Sequence, residues 1–230
     1  MIIEVIADTV SDARLAEQAG ADRIELISSV TEGGLTPSYG LIKSVCEAVK
    51  IPVNAMIRPH SRSFCYTKEE LEIMAADIKV CKELHASGVV FGANTQDGLV
   101  DEAALIDLIQ AAEGLDITYH RAFDEVRDQL IALDTLQSYP AISRVLSSGG
   151  KTHAIDAVEQ FSQLINHSNK TTLSIMAGAG LTVDNLPQFL KQSRIEEIHI
   201  GSGARKQNRI TEPIDADKLE QIIQICRSKK

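Results

Sequence analysis

Five residues of types that move protons or bind anions stand in short apolar runs of the sequence: Glu4, Glu25, Arg58, His120 and His199. A glutamate in a poorly hydrated site can act as a general base, and a histidine can move a second proton near neutral pH. An arginine can hold a carboxylate or a phosphate through two parallel hydrogen bonds. The set predicts acid–base chemistry on an anionic molecule and leaves isomerase, lyase and hydrolase chemistry open.

The stretch "TYHRAFDEVRD", from Thr118 to Asp128, concentrates further polar residues where an apolar run ends. We expect His120, Arg121 and Asp124 to lie at the rim of one polar pocket. Arg121 has the opposite parity to His120, so its position fits a surface or helix-packing role as well as a functional one.

Eight short apolar runs predict the strands that would position these side chains. They are Ile2–Ala7, Arg23–Ile27, Pro52–Arg58, Gly88–Ala93, Asp116–Phe123, Arg144–Ser148, Leu173–Gly178 and Glu197–Gly201. Helical patterns separate the runs, and strands that alternate with helices indicate a parallel sheet. Eight repeats predict an α/β fold, a single-domain (β/α)8 TIM-type barrel over residues 1–230. A doubly wound open sheet is the alternative.

The predicted helices are 11–19, 37–49, 67–84, 101–112, 128–137, 152–165, 183–192 and 215–226. The third has the clearest start signal, because Thr67 followed by Glu70 forms a capping box. Pro37 is well suited to the first turn of the second helix.

Side chains alternate between the two faces of a strand, so each run predicts which residues point into the barrel. The positions that face the helices should be apolar, which sends all five polar residues named first into the interior. Polar groups in a core are costly unless they are paired, and they are expected near the carboxyl ends of the strands, where such barrels have their active sites. The alternative is a fully satisfied ion-pair network that fills the barrel.

Glycine clusters follow the seventh and eighth predicted strands, in "MAGAGL" and "IGSGAR". Loops at these two positions of a barrel frequently bind phosphate through backbone N–H groups. The predicted anion-binding residues are Gly178, Gly180, Gly201 and Ser202. Tight turns alone would also account for these glycines.

Thiolate and thioether groups are ligands that suit Cu(I), and three such groups are predicted near the pocket: Cys65, Met56 and Met176. Cys65 follows the third strand, and both methionines have inward parity. The other three cysteines, Cys46, Cys81 and Cys226, fall on predicted helices and are expected in the core. No pair of cysteines has C-x-x-C spacing.

Composition limits the partners that this protein can have. The 230 residues carry a formal net charge of −9, which argues against nucleic-acid or anionic-membrane partners. The apolar runs are too short to cross a bilayer. The first residues begin with a strand-like run and lack a signal-peptide pattern, so we expect a cytoplasmic protein.

Several blocks together resemble the CutC copper homeostasis family along nearly the whole chain. They are "GADRIEL", "EGGLTPSYG", "MIRP", "FCYTKEELEIMAADI", "GVVFG", "HRAFD" and "LSSGG". The resemblance implies a (β/α)8-type barrel, a cytoplasmic homodimer and a role in copper homeostasis with Cu(I) binding. The residues that match the family pattern one by one are Glu25, Arg58, His120, Arg121, Asp124 and His199.

The chain departs from that family pattern at three places. Isoleucine stands at Ile6 and Ile27, where the family commonly has the cysteines proposed to hold copper, and an isoleucine cannot ligate a metal. The family's P-G-G-G after the seventh strand is "AGAG" here, at 177–180. The chain keeps the polar residues of the family pattern but lacks its two cysteines. This combination favours an organic ligand for the pocket.

Three functions therefore remain open. The first is copper handling, with Cu(I) held by Cys65 and Met56, Met176 or a histidine. The second is an enzyme acting on a small phosphorylated or carboxylated metabolite, with Glu25 or Glu4 as base and Arg58 on the anion. The third is a sensor that binds such a metabolite without turnover.

Overall fold

A computed structural model describes residues 1–168 and 171–228 of the chain. Eight parallel strands close into a barrel in sequence order, with the first strand paired to the eighth. This confirms the predicted (β/α)8 barrel and excludes the open sheet, which would leave two unpaired edge strands.

The strands are short and follow the predicted runs closely. They are β1 (Ile2–Ala7), β2 (Arg23–Leu26), β3 (Val53–Met56), β4 (Gly88–Phe91), β5 (Asp116–Tyr119), β6 (Ile142–Ser147), β7 (Ser174–Ala177) and β8 (Glu197–Ile200). Most end one to four residues before the predicted boundary. The chain leaves the sheet there to form the loops at the carboxyl ends, so Arg58 and His120 belong to loops.

Helices cover the outside of the barrel. They are α1 (Val10–Ala19), α2 (Tyr39–Ala48), α3 (Lys68–Glu83), α4 (Glu102–Ala111), α5 (Gln129–Gln137), α6 (Val158–Ser168), α7 (Leu186–Gln192) and α8 (Ala216–Ser228). Over residues 1–168 and 171–228, no helix combines the length and the apolar character needed to cross a membrane.

Local sequence signals account for where these helices begin. The capping box at α3 is confirmed, with the Thr67 side chain accepting from Glu70 N–H and the Glu70 side chain accepting from Thr67 N–H. Pro37 lies outside α2, because Ser38 caps that helix and it begins at Tyr39. The sixth helix begins later than predicted, because a 3-10 turn over Ala154–Ala157 precedes Val158.

Strand parity separates an apolar shell from a polar interior. The side chains of Ile3, Val5, Ile24 and Leu26 face the helices and belong to the main core cluster. A much smaller apolar cluster lies inside the barrel, formed by Ile27, Met56 and Val90 with Ile6 packed against it.

The lower half of the barrel interior is filled by paired charges that the sequence analysis did not single out, apart from Glu4. Five residues form what we call the interior charge chain: Glu4, Arg23, Glu197, Arg144 and Asp116. Arg23 contacts Glu4 at 2.5 Å and Glu197 at 2.9 Å, and Arg144 contacts Glu197 at 3.2 Å and reaches Asp116. Each member of the interior charge chain has a partner of opposite sign, as a low-dielectric interior requires.

Candidate active site

A cavity of about 210 Å³ opens at the carboxyl ends of the strands, where active sites of this fold lie. Its polar lining includes Glu25, Arg58, His120, Arg121 and His199. Its walls are mainly apolar and include Ile6, Ile27, Val30, Met56, Phe64, Leu146, Leu181 and Ile210. Four of the five residues predicted to point inward thus share one cavity, and the fifth, Glu4, lies below it.

Glu25 lies in the cavity wall and is 2% exposed. Its Oε1 atom has no hydrogen-bond partner within the described part of the chain. Burial raises the pKa of Glu25 to about 7, although the charge of His199 opposes that shift. A carboxyl group with a pKa near neutrality can both take and return a proton at physiological pH.

His199 connects Glu25 to the interior charge chain. Its Nδ1 lies 2.7 Å from Glu4, and its Nε2 lies 3.7 Å from Glu25 Oε2. Burial alone would lower the pKa of His199, but the two carboxylates together raise it. Burial would raise the pKa of Glu4, but Arg23 and His199 outweigh burial and lower it to about 2. The imidazolium form is therefore favoured, with one N–H on Glu4 and the other facing Glu25.

His120 is a neutral imidazole in the cavity lining. It caps the 3-10 turn Arg121–Asp124, and its Nδ1 accepts the backbone N–H of Ala122 at 3.2 Å. A nitrogen that accepts cannot carry a proton, so the proton is on Nε2, which has no acceptor among the described residues. Burial, helped by the charge of Arg58, lowers the pKa of His120 to about 3.

Arg58 brings a positive charge without a carboxylate partner, since no carboxylate in 1–168 or 171–228 forms an ion pair with it. Its Nη1 donates to the carbonyls of Glu32 and Gly34 at 3.0 and 3.3 Å, and its guanidinium lies 4.6 Å from the Phe64 ring centre. Its Nε has no partner in the described chain. The loops fix the cation and leave its charge for a bound anion.

Asp124 does not line the cavity. Its carboxylate accepts from Ser147 Oγ at 2.6 Å, from Ser148 N–H at 3.0 Å and from Arg121 Nε at 2.8 Å. These bonds join the loops after β5 and β6 and hold Arg121, which does line the cavity. The lone pairs of Asp124 are thus used for positioning.

The predicted anion-binding residues divide into two groups. Gly180, Gly201 and Ser202 line the cavity, whereas Gly178 packs against its wall. A Cβ atom on Gly178 would lie 2.8 Å from Leu146 Cδ1, so the absence of a side chain here lets Leu146 pack closely against the backbone. The backbone N–H groups of Gly180 and Leu181 donate to no acceptor in the described chain, and both residues face the cavity.

The three predicted copper ligands lie apart. Met56 lines the cavity, while Cys65 is outside its lining. Met176 lies deeper in the barrel, where its sulfur accepts from Arg23 at 3.3 Å. His120 cannot replace them easily, because a metal-binding histidine donates its other ring N–H, and Nδ1 of His120 accepts instead.

Phe64 is a site residue that the sequence analysis missed. Its ring lies 4.7 Å from the ring of His120 and 4.6 Å from the guanidinium of Arg58, so it fixes both groups at once. The sequence feature that could have identified Phe64 is its position next to Cys65, in the loop after β3. That loop is predicted to lie on the same face as the pocket.

Ala179 adopts a left-handed backbone conformation, with a φ of 78°, in the loop after β7. We expect Ala179→Gly to raise the free energy of unfolding by about 0.5–1 kcal/mol, because the left-handed region costs alanine about 1–2 kcal/mol and the chain entropy of glycine offsets part of the gain. Urea denaturation measures the change. The matched control is Ala103→Gly, at an exposed position of α4, and it should lower the free energy of unfolding by about the same amount. Equal losses in both variants would contradict the prediction.

The chain is similar in sequence and in structure to proteins of one family. The sequence profile of the CutC family matches residues 1–204. A family protein CutC of Photobacterium profundum is 38% identical over 210 residues, which are 91% of this chain and 85% of that protein. A human relative, named copper homeostasis protein cutC homolog, is 42% identical over 198 residues, which are 86% of this chain and 72% of the human protein. The crystal structure of a CutC protein from Streptococcus agalactiae has a TM-score of 0.82 at 30% identity, covering 92% of this chain and 100% of that one.

Proposed function

The chain belongs to the CutC family, and we propose that its barrel carries out acid–base chemistry on a small anionic organic molecule. The observation that carries the proposal is Glu25, a buried carboxyl with an unpartnered oxygen and a pKa of about 7 in the cavity wall. Glu4, below the cavity, differs in that Arg23 pairs with one of its oxygens and His199 with the other.

Each polar group of the cavity has a distinct role in this proposal. Glu25 accepts and returns the proton, and the charged form of His199 stabilises its carboxylate. Arg58 binds the anionic group of the ligand, assisted by the free backbone N–H groups of Gly180 and Leu181. His120 donates one neutral hydrogen bond. The apolar walls lower the local dielectric constant, which strengthens each of these interactions.

The role of Arg58 can be tested by a ligand screen. We expect some member of a panel of small carboxylates and phosphate monoesters to raise the melting temperature of the protein and to bind in ligand-observed NMR. Replacing Arg58 with glutamine should weaken that binding roughly 10- to 150-fold, because a hydrogen bond to a charged group contributes about 1.5–3 kcal/mol.

The matched control is Arg62→Gln, in the same loop, whose side chain is 74% exposed. It should bind as the parent protein does. Arg58→Lys keeps the charge and should fall between the two. The proposal fails if no member of the panel binds at millimolar concentration, or if Arg58→Gln binds as tightly as the parent.

Cu(I) binding is the second candidate, and the name of the human relative favours it. Met56 is the soft ligand that the cavity offers. An anaerobic competition titration against a chromophoric chelator decides this question. Binding much tighter than micromolar that Met56→Leu removes would support a copper site in the cavity, and dependence on Cys65 instead would support one in the loop after β3.

We also propose that the protein acts in the cytoplasm as a homodimer, as its likeness to the family implies. None of the four cysteines, all of which lie in the described part of the chain, forms a disulfide, which suits a reducing compartment. Two exposed isoleucines, Ile73 on α3 and Ile106 on α4, lie on neighbouring helices and offer apolar surface for a partner.

A further inference from the structure

Three buried polar atoms of the cavity residues lack a partner in the described chain: Glu25 Oε1, His120 Nε2 and Arg58 Nε. Buried polar groups in folded proteins are nearly always hydrogen-bonded, and these three belong to residues that line one cavity, where a bound ligand would give them partners. They offer, respectively, a proton acceptor, a neutral donor and a cationic donor.

The donor of His120 has a particular chemical meaning. The Ala122 N–H fixes the proton of His120 on Nε2, and Gly92 leaves room for the ring, since a Cβ there would lie 2.7 Å from Nδ1. A neutral N–H in a dry site stabilises an oxygen that gains negative charge. Triosephosphate isomerase uses the same two groups, a glutamate base and a neutral imidazole. With them it forms an enediolate from a carbonyl substrate.

We infer that the substrate is a small carbonyl compound with an anionic group, and that its carbonyl oxygen accepts the hydrogen bond of His120 Nε2–H while Glu25 takes a proton from the adjacent carbon. This inference rests on the proposed function and names its substrate class. The anionic group, a carboxylate or a phosphate monoester, pairs with Arg58.

The step balances without any co-reactant. The carboxylate of Glu25 takes the proton of the C–H bond, and the electron pair of that bond forms a carbon–carbon double bond. The π electrons of the carbonyl move to its oxygen, and the resulting enolate oxygen is held by His120. Return of the proton by Glu25 to the same carbon restores the substrate. Where that carbon bears a hydroxyl group, return of the proton to the former carbonyl carbon, with transfer of the hydroxyl proton to the enolate oxygen, gives the isomeric carbonyl compound.

The cavity limits the size of this substrate. Its volume of about 210 Å³ is below the roughly 300–1,000 Å³ of pockets that hold drug-sized molecules. A compound of a few carbon atoms fits this volume. Ile6 and Ile27 line the cavity and offer apolar surface to the carbon chain of the substrate.

Hydrogen–deuterium exchange tests the inference directly. The protein is incubated in D₂O with pyruvate, 2-oxobutyrate, acetoacetate and dihydroxyacetone phosphate, and loss of the C–H signal next to the carbonyl is followed by proton NMR. We expect at least one compound to exchange 100-fold or more above the buffer rate. The oxo acids and the phosphorylated ketone separate a carboxylate from a phosphate as the recognised anion.

Two variants locate the reacting groups. Glu25→Gln should reduce exchange to the buffer rate, and His120→Leu should reduce it about 100- to 1,000-fold, as loss of an oxyanion donor does. His167→Gln changes an exposed histidine paired with Asp134 and should leave exchange unchanged. Because His120→Leu could unfold, tighter binding of oxalate, an enolate analogue, than of pyruvate provides an independent readout in the parent protein.

The outcomes separate this inference from the proposed function. A second panel holds matching anions without a carbonyl, including lactate and glycerol phosphate. If those are bound and converted while no carbonyl compound exchanges above the buffer rate, the carbonyl inference is overturned and the proposed function stands. If neither panel binds, both are overturned. Exchange that persists in Glu25→Gln overturns the assignment of the base.

Discussion

Replacing Glu4 with glutamine is expected to lower the free energy of unfolding by about 3–5 kcal/mol at pH 7, the usual cost of breaking a buried ion pair on one side. Glu4 is fully buried and contacts both Arg23 and His199. The glutamine fills the same volume, so loss of packing does not contribute. What remains is a guanidinium and an imidazolium that have lost their shared carboxylate.

Urea denaturation at several pH values measures this effect and its sign. The pKa of Glu4 is lowered in the folded protein, so its contribution is present above pH 4.5 and is lost as the pH falls towards 2. The gap between parent and variant should close over that range. The control is Glu72→Gln, at a side chain that is 68% exposed, with an expected change within about 0.5 kcal/mol. A loss at pH 7 no larger than that of the control would contradict the prediction.

Replacing Glu25 with glutamine is expected to have the opposite effect and to stabilise the protein at alkaline pH. The pKa of Glu25 is raised from 4.5 to about 7, so the folded state holds a proton that the unfolded chain releases. The stability of the parent therefore falls as the pH rises from 4.5 through 7, by about 3 kcal/mol in all. Glutamine cannot ionise and avoids that loss.

The measurement is the difference in unfolding free energy between Glu25→Gln and the parent, taken at pH 4.5 and at pH 8. We expect the difference to grow in favour of the variant by about 3 kcal/mol between these two values. Glu72→Gln serves again as the exposed control, with no trend expected. A difference that is the same at both pH values would show that Glu25 titrates as an ordinary glutamate. Replacing a functional group of an active site commonly stabilises the folded protein.

Strand parity was sufficient to predict most of the barrel and half of its interior. Alternation placed Glu4, Glu25 and His199 inward, because the helix-facing neighbours had to be apolar. The same alternation also points Arg23, Arg144 and Glu197 inward, at positions nearer the amino ends of their strands. They were missed because a single strand does not show its partner, and pairing across the barrel depends on the register between strands.

The chemistry of the loops could not be predicted from alternation. Asp124 has the residue type of a catalyst, yet its lone pairs are occupied by donors from the loop after β6. Cys65 follows β3 as expected, but the loop places Phe64 towards the cavity instead. Backbone donors decide such cases, and the tautomer of His120, set by one N–H of Ala122, is the clearest example.

The interior charge chain also constrains how this sequence can diverge. Carboxylates and guanidinium groups alternate along it, so replacing any one member leaves its neighbours uncompensated. Effects of replacing two adjacent members should therefore be far from additive, since the second change removes a penalty that the first created. Among natural variants, Arg23, Glu197 and Arg144 should be inherited together or exchanged together for apolar residues. Natural sequences that lack only one of these three residues should be rare, because they would fold poorly.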